Sequence, residues 1–198
     1  MKRIVPLLLA LMVTPIAFAQ TQAERDRAAK HLEATRQALL GATSGLTEAQ
    51  WNFKPAPDRW SVAEVLEHIA VAEDALRTLI VKRVMTTPPV EAQEDVKQGD
   101  ETVLTAVPDR SRKFQAPKSI QPTGRFGSPK NSMQHFRESR DQTIDFVMTT
   151  PDLRLHAADS PFGRKFDAYQ WVLFISAHCQ RHIKQINEVK ADPNFPTP

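Results

Sequence analysis

The chain has 198 residues, 41% of them hydrophobic and 25% charged, with a formal net charge of +3. That length suits one domain with one substantial core, and a charge so near balance, with no basic block interleaved with aromatics, gives no support to nucleic-acid binding. One cysteine, Cys179, excludes an internal disulfide, so stability must come from packing, helped by metal where ligands allow.

Residues 1–19 read as a signal peptide. Lys2 and Arg3 form a basic start, Ile4 to Val13 is a nearly unbroken apolar stretch, and Ala17-Phe18-Ala19 is a small-x-small cleavage site. Cleavage after Ala19 leaves Gln20 first. The apolar stretch is short of the roughly 20 residues a membrane span needs, and it contains Pro6. The 26 basic residues fall to 24 once Lys2 and Arg3 are removed, against 23 acidic, a balance of +1. The expectation is an exported protein, periplasmic or secreted, with one domain over residues 20–198 and no stable membrane anchor.

Four helical stretches follow in order. The first covers about Thr21 to Ala42, rich in alanine, with Leu32, Leu39 and Leu40 on a sparse apolar face and Gly41 and Gly45 at its end. Thr47 with Gln50 forms a capping box for one further turn, and Pro55 and Pro57 then impose extended chain. The second long helix starts at Ser61, capped with Glu64 and preceded by Trp60, and its apolar residues recur at three- and four-residue steps to about Met85. Pro88-Pro89 stops it. Residues from about Thr86 to Ser128 carry five prolines, with Pro129 just beyond, and no sustained periodicity, with a short helix expected around Glu91 to Thr105. So long a connection inside one domain implies a crossover joining two parallel helices. The third helix spans about Lys130 to Thr149, closed by Pro151. The fourth spans about Asp167 to Lys190 with a wide apolar stripe, and the tail after it reads as loose. The fold class is therefore all-α, a four-helix bundle with a long crossover between helices two and three.

His178 and His182 stand one turn apart on the fourth helix, so both imidazoles share a face and can reach one ion. His68 lies within the apolar pattern of the second helix, between Val65 and Ala72. Each position alone suits an ordinary core or surface histidine. Together they put histidine beside the buried stripe of two different helices, which is how metal sites in bundles are built.

Two segments carry a family resemblance. "WSVAEVLEHIAVAED" from Trp60 to Asp74, and "WVLFISAHCQRHIKQI" from Trp171 to Ile186, resemble the helix-two and helix-four motifs of the DinB-like superfamily, and "LTEAQWNFKPAPDRWS" resembles its lead-in to helix two. The resemblance implies a four-helix bundle with a long connection between helices two and three. It also implies that His68, His178 and His182 bind one divalent metal ion, zinc or nickel. Three neutral histidines leave coordination positions for water or substrate, the arrangement of a catalytic rather than a closed structural site. Some members of the family transfer low-molecular-weight thiols to electrophiles. The expected function is thus metal binding, with water or a thiol activated for hydrolysis of, or transfer to, a small molecule; the alternative is a non-catalytic metal- or ligand-binding bundle. The expected partners are a small-molecule substrate or ligand and, at most, a second copy of the chain.

Other residues have simpler readings. Glu64 sits one turn before His68 and could serve as a base, but it closes the capping box. His135 reads as a partly exposed helix residue, and His31 and His156 as surface or loop residues. Arg181 could steer an anionic substrate, though a solvated or salt-bridged side chain is the plainer reading. Cys179 suits a small buried hydrophobe better than a nucleophile. Trp51, Phe53 and Trp60 are expected to pack as aromatic core.

Overall fold

Each long helix begins where a side chain can satisfy its first free N–H groups. In the structure, a computed structural model describing residues 20–90 and 95–197, α1 (Gln22–Thr43) starts at Thr21, which forms a reciprocal capping box with Glu24. The same device opens α2 (Glu48–Asn52) through Thr47 and Gln50, and α3 (Val62–Leu79) through Ser61 and Glu64. A π-helical turn, Ile80–Val84, continues α3. After α4 (Val96–Ala106) and a 3-10 turn (Lys118–Ile120), α5 (Pro129–Thr149) starts at Ser128 with proline in its first turn. Strands β1 (Ala157–Asp159) and β2 (Lys165–Asp167) form a small antiparallel hairpin leading into α6 (Ala168–Lys190), which Asp167 and Gln170 cap. The predicted signal peptide, residues 1–19, lies outside the described residues.

Two apolar clusters fill the bundle end to end. One joins Ala28 and Leu32 of α1, Ile80 and Val84 after α3, Val147 of α5 and the first turns of α6 from Ala168 to Ala177. The other joins Leu39, Val65, Leu66, Phe136, Cys179, Ile183 and Ile186. Early α1 and early α6 thus meet late α3 and late α5, so α1 and α6 run one way and α3 and α5 the other. The parallel pair α3 and α5 requires the chain to return along the bundle between them, and the crossover is that return.

A polar layer separates the clusters. Arg140 of α5 is fully buried and donates to both carboxylate oxygens of Glu73 on α3 at 2.7 and 2.8 Å, and to the Leu32 carbonyl and Thr35 hydroxyl of α1 at 2.5 and 2.8 Å. Thr35 meets Ser176 of α6 at 3.3 Å. All four helices contribute.

Three sequence expectations need correction. Gly41 does not end α1. It lies inside the helix, with no non-local atom close enough to matter to a side chain there, and Gly45 at φ 71° supplies the turn instead. The hairpin at 157–167 was not expected, its three-residue strands being too short to show alternation. The C-terminal tail is not loose: Phe195 packs edge-on against Phe53 at 5.5 Å, and the Pro196 carbonyl accepts from Gln50 at 2.9 Å. Among the described residues, no helix is long and apolar enough to cross a membrane.

Candidate metal centre

Early α3 and late α6 face one another at the same end of the bundle, and this brings the three histidines together. His68 Nε2 lies 3.1 Å from His182 Nε2, which lies 3.2 Å from His178 Nε2. Among the described residues this is the one group of His, Cys, Asp or Glu side chains, three or more together, with ligand atoms close enough to share an ion. An ion with metal–nitrogen distances near 2.1 Å and tetrahedral angles separates its nitrogens by about 3.4 Å, so the spacing fits.

The hydrogen bonds on the far side of two rings fix what those nitrogens offer. His68 Nδ1 is 2.8 Å from the Ile120 carbonyl oxygen, which only accepts, so Nδ1 carries the proton and Nε2 presents a lone pair. His182 Nδ1 is 2.8 Å from Gln185 Oε1, with the same consequence. Two lone pairs then face each other across 3.1 Å. That arrangement is repulsive for neutral rings alone and favourable around a cation, and fixing a ring by its second nitrogen is typical of metal-bound histidine. Burial also keeps the rings in the ligating, neutral form. Desolvation depresses the pKa of His68 against the opposing pull of the Ile120 bond. It takes His182 to about 3, with the nearby His68 adding to the effect, and it holds His178 well below the ordinary range, with the two other histidines adding to it.

Aromatic rings enclose the cluster. Trp60 packs on His68 at 4.9 Å between centroids, and Phe174 stacks on His178 at 6.1 Å. His68 and His182 are buried, and His178 is half-buried.

The other sequence candidates fall elsewhere. Glu64 closes its capping box and pairs with Lys54 at 2.7 Å. His135 bonds Asp74 at 2.5 Å and stacks on Phe126, away from the three histidines. His156 meets the Thr87 carbonyl at 2.7 Å, and His31 is half-buried on α1. Cys179 is buried, with its thiol pushed up to about 11 by desolvation, so it is no nucleophile. Among the described residues Arg181 forms no salt bridge. It is buried and donates to the carbonyls of Val107, Asp109 and Arg112, gripping the crossover. Trp51, Phe53 and Trp60 pack against the second apolar cluster as expected.

Several contributors escaped the sequence. Ile120 acts through its backbone, which residue type does not reveal. Glu67 accepts the backbone N–H groups of Thr123, Gly124 and Arg125, at 2.8, 2.9 and 3.2 Å, and pins that turn beside His68. Its own pKa is lowered: burial opposes ionisation, and the three N–H donors outweigh it. Gln185 alone carried a readable signal, since it stands three residues after His182 and so on the same face.

Comparison with known proteins agrees with this architecture. The model of the DinB superfamily matches residues 31–186. The chain is 26% identical over 147 residues to the uncharacterized protein YuaE of Bacillus subtilis (strain 168), covering 74% of this chain and 86% of that relative. Among solved structures it is similar to YfiT from Bacillus subtilis, described as a probable metal-dependent hydrolase with an unusual four-helix bundle topology. The TM-score is 0.55 at 14% identity, over 89% of this chain and 91% of that one. At that identity the likeness speaks to the fold.

Proposed function

The chain belongs to the DinB superfamily, and from that premise we propose that it binds one divalent metal ion, zinc or nickel, through His68, His178 and His182 and acts on a small molecule there. The observation that carries this reading is the convergence of three Nε2 atoms, two of them with their second nitrogen tied to an acceptor. A divalent ion on three neutral nitrogens keeps open positions and supplies Lewis acidity, which makes water or a thiol available as the anion near neutral pH. The chain's own part is to hold His68 and His182 in the ligating tautomer and to pack Trp60 and Phe174 against the cluster. Among the described residues the cluster is made of imidazoles alone, with no carboxylate among its ligand atoms. Support for hydrolysis over thiol transfer comes from the description of YfiT. Export, and with it a periplasmic or secreted location, belongs to the same proposal on the strength of residues 1–19.

The test begins with elemental analysis of protein purified without a polyhistidine tag. About one equivalent of metal is expected, lost on alanine replacement of the histidines. Bound metal that survives replacement of two or all three would end the assignment. Panels of ester and amide substrates, and of thiols with electrophiles, with and without chelator, then separate hydrolase from transferase. Metal binding without chelator-sensitive turnover would leave a binding module.

A further inference from the structure

The crossover reaches both helices that carry the histidines. Its 3-10 turn ends at Ile120, whose carbonyl orients His68. Its earlier part lies along late α6. Arg110 forms a two-pronged ion pair with Glu188, at 2.5 and 2.7 Å, and its third nitrogen points to Gln185 Oε1 at 3.4 Å. Lys184 and Arg181 hold the carbonyls on either side of Arg110, those of Pro108, Asp109 and Arg112.

Gln185 can present either end of its carboxamide to His182. Presenting the oxygen makes His182 Nδ1 the protonated nitrogen and leaves Nε2 free for metal. Presenting the NH2 reverses the tautomer, puts the proton on Nε2 and removes a ligand. Nothing in Gln185 itself chooses. Arg110 does, because a guanidinium only donates and so must meet the oxygen. That places the oxygen between Arg110 and His182.

We propose that Gln185 is a positioning residue for the metal centre, held in its ligating orientation by Arg110 of the crossover, so that the crossover selects the tautomer of His182. The proposal rests on the three-histidine reading. The relay from Glu188 through Arg110 and Gln185 to His182 makes the crossover part of the outer shell of the site on the α6 side, as Ile120 does on the α3 side. Outer-shell partners of this kind change metal affinity by about 10- to 100-fold.

The experiment compares wild type with Gln185→Leu, Gln185→Glu and Arg110→Met, using Co(II) as the probe. Affinity is read by competition with a chromogenic chelator, and coordination by the visible absorption of bound Co(II). Gln185→Leu, which has the bulk but no acceptor, should bind Co(II) about 10- to 100-fold more weakly with an altered spectrum. Gln185→Glu, which restores an acceptor, should recover the affinity to within a few-fold. Arg110→Met should lie between. Gln185 and Arg110 are only half-buried, so the metal-free variants should stay folded, with midpoints within a few degrees of wild type. Wild-type affinity and spectrum in Gln185→Leu would overturn the proposal, as would a loss that Gln185→Glu fails to restore. Failure of the three-histidine reading looks different: wild type itself would bind no Co(II), or His182→Ala would bind it unchanged.

Discussion

The polar layer at the middle of the bundle allows a sharp energetic test. Glu73→Leu removes two of the four hydrogen bonds that Arg140 makes and strands a guanidinium that is fully buried. Arg140→Met strands a carboxylate whose side chain is 1% exposed. Each single change should therefore cost about 3–5 kcal/mol, the range for breaking a buried pair by removing one partner. At about 2–4 °C per kcal/mol for a domain of this size, the midpoint should fall by about 6–20 °C. The double variant Glu73→Leu/Arg140→Met leaves no stranded charge. Its remaining losses are the donors that Arg140 gave to Leu32 O and Thr35 Oγ1, about 1 kcal/mol each, set against the desolvation of two ions that is no longer required. It should be closer to wild type than either single variant. Urea and thermal unfolding, run with chelator so that metal linkage does not contribute, give the three free energies of the cycle. Single variants within about 1 kcal/mol of wild type, or a double variant whose loss is the sum of the singles, would refute the reasoning.

Chelation should lower the unfolding midpoint and restored metal should raise it, by about 4 kcal/mol at a thousandfold excess over Kd, read by differential scanning calorimetry. His68→Ala should abolish that response. For the metal-free protein, stability should fall as pH drops below 6.5. The unfolded imidazoles then take up protons that the buried ones, depressed to about 3 at His182, still refuse. The slope should flatten in His68→Ala, and urea midpoints from pH 7.5 to 5 would show it. Glu67→Ala frees the turn at 123–125 and with it the Ile120 carbonyl. It should weaken metal binding by about tenfold and speed tryptic cleavage at Lys113 and Lys118, both exposed.

What the sequence made legible, and what it did not, follows from where the information is stored. The starts of α2 and α3 were readable because a capping box is a local exchange between two side chains three residues apart. The three converging histidines were readable because His178 and His182 obey helical spacing and His68 breaks an apolar stripe. Arg140 and Glu73 were not, since a charge buried at 0–1% exposure looks on paper like any surface charge. Phe195 could not be placed, because its partner Phe53 lies 142 positions away and no periodicity links them. Arg181 was placed next to the site but given the wrong work, since backbone carbonyls leave no trace in residue type.

The least legible segment turns out to be tied to the most legible one. Because α3 and α5 are parallel, the chain has to travel back along the bundle after the π-helical turn, and in doing so it passes the end where His68 and His182 face each other. Its route is set by carbonyls and N–H groups: Arg181 and Lys184 fix residues 107–112 to α6, and Glu67 fixes residues 123–125 to α3. Both attachments lie within three residues of His68 or His182. Composition in this segment can therefore vary while its backbone still orients the rings, provided the anchors on α3 and α6 remain. On the proposed reading, the two histidine helices supply the metal donors, and the connection demanded by their topology helps set which nitrogen of His68 and of His182 is free to bind.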